Sequence, residues 1–282
     1  LVIAQDITAF GADRPESGET LVTLLEALNN IEGEFVIRLL YTHPAHYTDE
    51  FIDFLARRDT KVLPYIDMPL QHISDRILKD MHRHVTKARI LEILKSLRER
   101  VKDLTLRTTF ITGFPGETEE DFEETLDFVK EVGKYIERVY PSRTYFAMEE
   151  FSYIYDHPDE FNIQTPFNHH LYWKTKDGQN TFPVRLKRCQ RFEQVCKDYS
   201  VNVDCGVKTN VLMDEYFNLG FYYDHEKQYD KALECFSKYL ESNPKEAFIN
   251  FAIPQGTTRV VLTMTDMNGN EAVFDQELTF EG

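Results

Sequence analysis

The chain has 282 residues, of which 42% are hydrophobic and 13% aromatic, enough apolar material for one large core, or one core and a smaller module. Its formal net charge of -16 argues against DNA or bulk RNA as a partner, because phosphate binding needs clustered Lys and Arg, and favours a basic protein. No apolar run reaches the ~20 residues of a membrane span, and residues 1–15 lack a signal-peptide layout, so we expect a cytoplasmic protein without membrane contact.

Strand-length apolar runs alternate with amphipathic stretches of helical period through the first half of the chain. Such alternation predicts an α/β fold built from parallel βαβ units, with a further strand within IERVYPSRTYF. Function in such folds lies at the carboxyl ends of the strands. The predicted strand and helix pairs are LVIA with TLVTLLEALNNI, FVIRLLY with DEFIDFLARR, VLPYIDMPL with ARILEILKSLRERV, and LTLRTTFIT with EEDFEETLDFVKEV.

Two of the predicted strand ends are unusually polar. In PLQHISD, Gln71 and His72 follow the third strand, and Ser74 or Asp75 is placed to cap the next helix. A lone histidine there is most simply one that a neighbouring carbonyl satisfies. In RTTFITGFPGETEEDF, the period of two puts Arg107 and Thr109 on one strand face.

The turn after that strand passes through Gly113 and Gly116 and leads to a predicted capping box of Thr118 and Asp121. It is not a phosphate loop, because it lacks the Gly-Lys-Ser/Thr ending and acidic residues crowd the helix start. Two interpretations stay open: a site for a neutral or cationic ligand, and a plain strand-to-helix connection.

The cysteines and histidines show no metal-binding spacing. Neither a zinc nor a cluster pattern is present among Cys189, Cys196, Cys205 and Cys235, so we predict reduced structural thiols and no metal site. His169 and His170 are adjacent and cannot share one helical face, which favours a solvated loop.

Four ordered segments resemble the radical S-adenosylmethionine methylthiotransferases, and within them the RimO type that modifies an aspartate of a small-subunit ribosomal protein. These segments are AQDITAFG, FVIRLLYTHP, YIDMPLQHISDRILKDMHR and LRTTFITGFPGETEEDF. The resemblance implies a TIM-like (β/α) barrel and S-adenosylmethionine as a cofactor. At the positions that match the motifs of the family, the resemblance implies that the residues lining the cofactor are Gln71, His72, Arg107, Thr109, Gly113, Gly116 and Glu117. It implies that Gln5 and Asp6 face the substrate.

The family also carries a first barrel strand and a CxxxCxxC loop whose thiolates hold a 4Fe-4S cluster, and neither is found in this sequence. The resemblance therefore implies an incomplete barrel, and a fragment or chimera that is inactive as given, since three converging thiolates are needed to hold the cluster. The alternative is a non-catalytic binding module that uses the barrel and a helical repeat.

The second half of the chain departs from that family. A stretch at about 213–246 resembles one tetratricopeptide repeat, with Gly220, Ala232 and Phe236 at packing positions, and such a lone repeat needs a partner surface. The last stretch predicts a β-hairpin that turns at Asn268-Gly269. The predicted organisation is a barrel core at 1–160, an irregular insert at 161–182, a connecting helix and first TRAM-like strand at 183–215, a helical pair at 216–246 and a hairpin segment at 247–282.

Overall fold

A computed structural model describes residues 1–133, 136, 138–141, 146–167, 169–199, 201–203, 215–242, 259–265 and 271–277. The chain divides into two compact units, Leu1–Val207 and Lys208–Gly282. This division lies inside the predicted 183–215 segment, and the other predicted domain borders stay predictions. No helix in the described ranges is long and apolar enough to cross a membrane.

The first unit is an α/β structure in which each described pair of neighbouring strands is parallel. β1 pairs with β2, and β3, β4, β5 and β6 follow one another in a second sheet. An isolated bridge between Ile37 and Val62 and a hydrogen bond from Thr42 N–H to the Asp67 carbonyl (2.8 Å) link the two sheets. The strands are β1 Val2–Ile3, β2 Leu39–Leu40, β3 Tyr65–Asp67, β4 Thr105–Phe110, β5 Arg138–Pro141 and β6 Asn202–Val203.

The α-helices of the first unit alternate with these strands, as the hydrophobic periodicity predicts. They are α1 Leu21–Asn29, α2 Asp49–Ala56, α3 Asp75–Asp80, α4 Lys87–Arg100, α5 Glu119–Val132, α6 Tyr153–Asp156 and α7 Phe182–Asp198. The strand order follows the chain order, which is the order of a singly wound α/β sheet. Whether the strands form part of a barrel remains a prediction.

Threonine side chains start four of these helices. The hydroxyls of Thr20, Thr48, Thr86 and Thr118 each accept the N–H three residues on, and the predicted box of Thr118 with Asp121 is present. At α3 the prediction differs from the structure. Ser74 is the N-cap residue, but its hydroxyl donates to Asp121 Oδ1 (2.6 Å), because that buried carboxylate lies within reach.

The core of the first unit lies between the strands and the helices. Leu39, Ile66 and Leu106 from the strands are at most 1% exposed, and they belong to one cluster with the inner faces of the helices. Phe110 contacts Phe128 of α5 and Phe192 of α7, with ring centroids 6.0 and 5.5 Å apart. This packing fixes the carboxyl ends of β3 and β4 relative to α5.

Two features of the first unit were not predicted from the sequence. β6 adds a parallel strand beside β5, whereas the sequence assigned its region to a connecting segment. The insert at 161–182 contributes Ile163 and Trp173 to a small core with Met148, all at most 1% exposed. The TRAM-like strand predicted within 206–215 lies almost wholly outside the described residues.

The second unit contains the predicted helical pair and hairpin. The helices are α8 Glu215–His225 and α9 Tyr229–Ser242, and a Cβ added at Gly220 would lie 2.5 Å from the Phe236 ring, so glycine allows their close approach. The strands β7 Arg259–Thr265 and β8 Glu271–Glu277 are antiparallel. The Asn268-Gly269 turn lies outside the described residues.

Candidate functional site

An open groove of about 660 Å³ runs along one face of β2, β3 and β4. Along β4 the burial alternates, so Thr105, Arg107 and Thr109 are partly exposed, while the residues between them face the core. Arg38 lies 3.9 Å above the centre of the Tyr65 ring. The groove is lined by Arg38, Leu40, Tyr41, Leu63, Pro64, Tyr65, Asp67, Asp103, Thr105 and Arg107.

Arg107 and Asp67 form the charged centre of this groove. β3 and β4 place the two residues side by side, and Arg107 Nη1 donates to Asp67 Oδ1 at 2.7 Å. The Asp67 side chain is 1% exposed and that of Arg107 is 23% exposed. Because Arg107 is already balanced by a buried carboxylate, the pair adds little net charge to the groove and does not select for an anionic ligand.

Gln71 ends this strand region with a left-handed backbone conformation (φ 70°). Its N–H donates to the Thr109 carbonyl, and its own carbonyl accepts from Ile111, both at 2.8 Å. The side-chain oxygen Oε1 is buried and has no hydrogen-bond partner among the described residues. A buried amide oxygen without a donor is an acceptor that a ligand can satisfy.

His72 is fully buried and both of its ring nitrogens are engaged. Nδ1 accepts the Ser74 N–H (3.0 Å), so the proton of the neutral ring is on Nε2, which donates to Glu117 Oε1 (3.0 Å). The sequence indicated that a neighbouring carbonyl satisfies this histidine. The acceptor is instead a carboxylate 45 positions further along the chain.

Glu117 is the centre of a buried network that holds the glycine turn. Its Oε2 accepts the Gly113 N–H and Arg188 Nη1 (2.9 Å), and Arg188 also reaches the Glu117 carbonyl (3.2 Å). Gly113 has φ +79°, and a Cβ there would lie 2.3 Å from Arg185 Cγ. The turn is therefore compatible only with glycine at position 113.

Two residues that the sequence did not single out connect this turn to the insert. Asn180 Nδ2 donates to the carbonyls of Gly113 and Phe114, both at 3.1 Å. Arg185 is fully buried, donates to the carbonyls of Leu171 and Trp173, and stacks 3.9 Å from the Trp173 ring. The basic VRLKRCQR segment is the only sequence signal for these contacts.

A further cluster of side chains, whose grouping the sequence did not predict, lies in the loops after β1 and β2. Asp6, His43 and His46 offer ligand atoms that lie within 4.8 Å of one another, and they are the only such group of three among the residues that the structure describes. His46 Nδ1 lies 2.6 Å from Asp6 Oδ2. Gln5, predicted beside Asp6, is exposed.

The described cysteines fit the prediction of structural thiols. Cys189, Cys196 and Cys235 are free and buried, and burial raises the pKa of both Cys189 and Cys196 to about 12. Thr112 Oγ1 contacts Cys189 Sγ at 2.8 Å. Within the first unit the described cysteines are Cys189 and Cys196, fewer than the three thiolates that a 4Fe-4S cluster of this family needs. Cys205 lies outside the described residues.

The acidic helix α5 is less negative than its sequence indicates. The stretch 117–131 carries eight acidic residues and one lysine, but six of the eight contact a cation of this unit. Glu120 and Glu131 are exposed at its ends. The paired residues are Glu117 and Glu119 with Arg188, Glu119 and Glu123 with Arg191, Asp121 with Arg76, Glu124 with Lys87 and Asp127 with Lys130.

Comparison with known proteins identifies relatives of the N-terminal region. Residues 4–129 match the Radical SAM superfamily and residues 213–246 match the tetratricopeptide repeat. The "Ribosomal protein uS12 methylthiotransferase RimO" of Akkermansia muciniphila is 50% identical over 143 residues, which cover 46% of this chain and 31% of that protein. The proteins of the same name from Thermotoga maritima (48% over 132 residues; 47% and 30%) and Geobacter sulfurreducens (49% over 130 residues; 46% and 29%) are similar over the same share.

The resemblance to the radical SAM methylthiotransferases is thereby confirmed for the N-terminal region. The tetratricopeptide-like repeat is confirmed as well. The chain spans about a third of the length of the curated relatives that it matches.

The structure brings the predicted site residues together in two groups. Arg107 lies in the groove, whereas His72, Gly113 and Glu117 belong to the buried network that holds the glycine turn. Gln71 and Thr109 are hydrogen-bonded neighbours where the two groups meet. Gly116 has φ +89° and only the Arg76 side chain within 4 Å of an added Cβ, so its surroundings are open.

Proposed function

We propose that the first unit is the S-adenosylmethionine-binding part of a radical SAM methylthiotransferase. The observation that carries the proposal is the groove at Arg107, which combines a charge-balanced guanidinium with the rings of Tyr41 and Tyr65. Its volume is in the range of small-molecule sites. The match to the Radical SAM superfamily and to the RimO proteins supports this ligand over others of the same size.

Each part of the groove suits one part of that cofactor. We expect the partly exposed guanidinium of Arg107 to bind the carboxylate of the methionine part, while the buried Asp67 holds Arg107 in position. The exposed ring of Tyr41 offers a stacking surface for adenine, whereas Arg38 covers one face of the Tyr65 ring. Once bound here, S-adenosylmethionine would supply radical chemistry upon one-electron reduction. These groove residues bind and orient it.

Isothermal titration calorimetry with S-adenosylmethionine tests this site. We expect Arg107→Ala to weaken binding at least tenfold, because the carboxylate loses its charge-assisted hydrogen bond. Arg14→Ala is the matched control, because Arg14 is exposed and does not line the groove. Circular dichroism checks that Arg107→Ala, which leaves Asp67 unpaired, is folded. Tyr41→Asn provides a second test, because Asn tolerates the positive φ of 61° at this exposed position.

Equal affinity in wild type, Arg107→Ala and Tyr41→Asn would reject the groove as the binding site. No binding by the wild-type chain would also reject it and would favour the alternative, a non-catalytic protein-binding module. The tetratricopeptide-like pair of α8 and α9 is the observation that favours this alternative.

We propose the basic ribosomal protein uS12 as the partner, through an aspartate of that protein, because the RimO relatives are named for acting on uS12. The chain charge of -16 supports a weak, salt-sensitive encounter. Since most acidic residues of α5 are paired, Glu120→Lys with Glu131→Lys is the variant that tests this face. The amount of uS12 pulled down should fall as the salt concentration rises, and it should be lower for this variant than for the wild type. Binding that is the same at all salt concentrations and in both proteins would reject the electrostatic contribution.

A further inference from the structure

Asp6, His43 and His46 form a compact donor group at the carboxyl ends of two neighbouring parallel strands. Asp6 follows β1, and both histidines follow β2. One carboxylate oxygen and two ring nitrogens lie within 4.8 Å of one another. Two imidazoles and one carboxylate are a donor set that divalent first-row transition metals favour.

Thr8 holds the two loops of this group together. The Thr8 N–H donates to Asp6 Oδ1 (2.9 Å), and its hydroxyl contacts the same oxygen. That hydroxyl also accepts the His43 N–H (3.0 Å). Oδ1 is thus occupied by Thr8, and the other carboxylate oxygen, Oδ2, faces His46. The carboxylate is therefore oriented before any ligand arrives.

The protonation of the group also suits a cation. Burial, followed by the positive charge of Arg83, lowers the pKa of His43 to about 4, so this ring is neutral near pH 7. Burial opposes ionisation of Asp6, but hydrogen bonds from Thr8 and His46 outweigh it and lower the pKa of Asp6. Metal ligands bind in their deprotonated form, which is the form that these shifts favour for His43 and Asp6.

We infer that Asp6, His43 and His46 form a binding site for a divalent first-row transition cation such as Zn²⁺. Four-coordinate zinc with bonds of about 2.0–2.1 Å needs its ligand atoms roughly 3.4 Å apart, so the three side chains must adjust by about an ångström. The His46 side chain is 47% exposed and free to make this adjustment. The cation replaces the hydrogen bond between His46 and Asp6, and with three protein ligands it keeps a position open for water or substrate.

Neighbouring positive charge limits the affinity of the site. Arg83 and His84 both act electrostatically on His43. Arg83 Nη2 donates to the Pro69 carbonyl (2.6 Å), which fixes the position of its head group. With only one anionic ligand, we expect a dissociation constant on the order of 1 μM, weaker than that of thiolate-rich structural sites.

Competition titration of the full, tag-free, chelator-treated chain with Zn²⁺ tests the inference. We expect Asp6→Asn, His43→Gln and His46→Gln each to weaken zinc binding at least tenfold. His157→Gln, an exposed histidine that stacks on Tyr153, should bind zinc as the wild type does. The visible spectrum of the Co²⁺-loaded chain should show nitrogen and oxygen ligation without a thiolate charge-transfer band.

His46→Gln keeps the test decisive if another variant fails to fold, because His46 is exposed and its loss leaves the core intact. Wild-type affinity weaker than about 1 mM would overturn the inference. Zinc binding that is unchanged in His46→Gln, or a Co²⁺ spectrum with a thiolate band, would assign the cation to other residues and overturn it too.

Discussion

Arg188→Ala should be one of the most destabilising single changes in the first unit. The Arg188 side chain is 6% exposed, and its Glu117 partner is 1% exposed. Removing the guanidinium leaves a buried carboxylate with two donors, the Gly113 N–H and the His72 ring. The cost is the desolvation of that charge and not the strength of the ion pair itself.

Breaking a buried ion pair by removing one partner costs about 3–5 kcal/mol. Two remaining hydrogen bonds to Glu117 favour the lower end of that range, and loss of the Arg188 contact with the Phe122 ring (5.6 Å) adds about 0.5 kcal/mol. We therefore expect the free energy of unfolding to fall by about 3–4 kcal/mol. Adding Glu117→Gln to Arg188→Ala should recover part of this loss, since the amide removes the unpaired charge.

Urea denaturation followed by the fluorescence of Trp173, the single tryptophan, measures this change within the same unit. With an m value of about 3 kcal/mol/M, the midpoint should fall by roughly 1 M urea. Arg191→Ala is the matched control: Arg191 pairs with Glu119 and Glu123 but its side chain is 36% exposed, so the expected loss is below about 1 kcal/mol. Equal losses in the two variants would refute the argument from burial.

Three further outcomes follow from the same region. Gly113→Ala should lower the free energy of unfolding by about 3 kcal/mol or more, because of the positive φ and the clash with Arg185. Gly178→Ala, at φ +70° with open space around it, should lower it by about 1 kcal/mol. Urea denaturation measures both changes. Burial opposes ionisation of Asp121, but hydrogen bonds from Ser74, Thr118 and Arg76 outweigh it and lower the pKa of Asp121 to about 2. The stabilising contribution of Asp121 is therefore complete above about pH 4 and is lost as the pH falls towards 2. In Asp121→Asn the free energy of unfolding, measured by urea denaturation, should change less with pH over that window than in the wild type. Cys189 and Cys196 should resist a thiol reagent at pH 8 in the native chain and react after unfolding, and fast native labelling of either, seen by mass spectrometry, would contradict their burial.

The parallel strands and their helices could be predicted because each carries its own local signal. Apolar periodicity marked β4 and α5, and Thr118 with Asp121 marked the helix start. The two-residue strand β6 had no such signal, since a segment that short has no period. α7 packs against both β5 and β6, so the packing of this helix brings the short strand to the sheet.

The grouping of functional side chains could be predicted from the sequence only where both residues lie on the same strand. Arg107 and Thr109 share β4, so their common face follows from the period of two. Glu117 and Arg188 are 71 positions apart, and Asp6 and His46 are 40 apart. These pairs exist because the fold brings separate loops together, and no spacing in the sequence encodes them.

The geometry of His72 also changes how its predicted role must be understood. A histidine that contacts a cofactor needs a ring nitrogen directed at it, but both nitrogens of His72 are bonded within the protein. We therefore propose that His72 acts on the site through Glu117, which fixes the Gly113 turn. On this basis, loss of His72 would affect ligand binding by loosening the turn, while Arg107, which faces the groove, would contact the ligand directly.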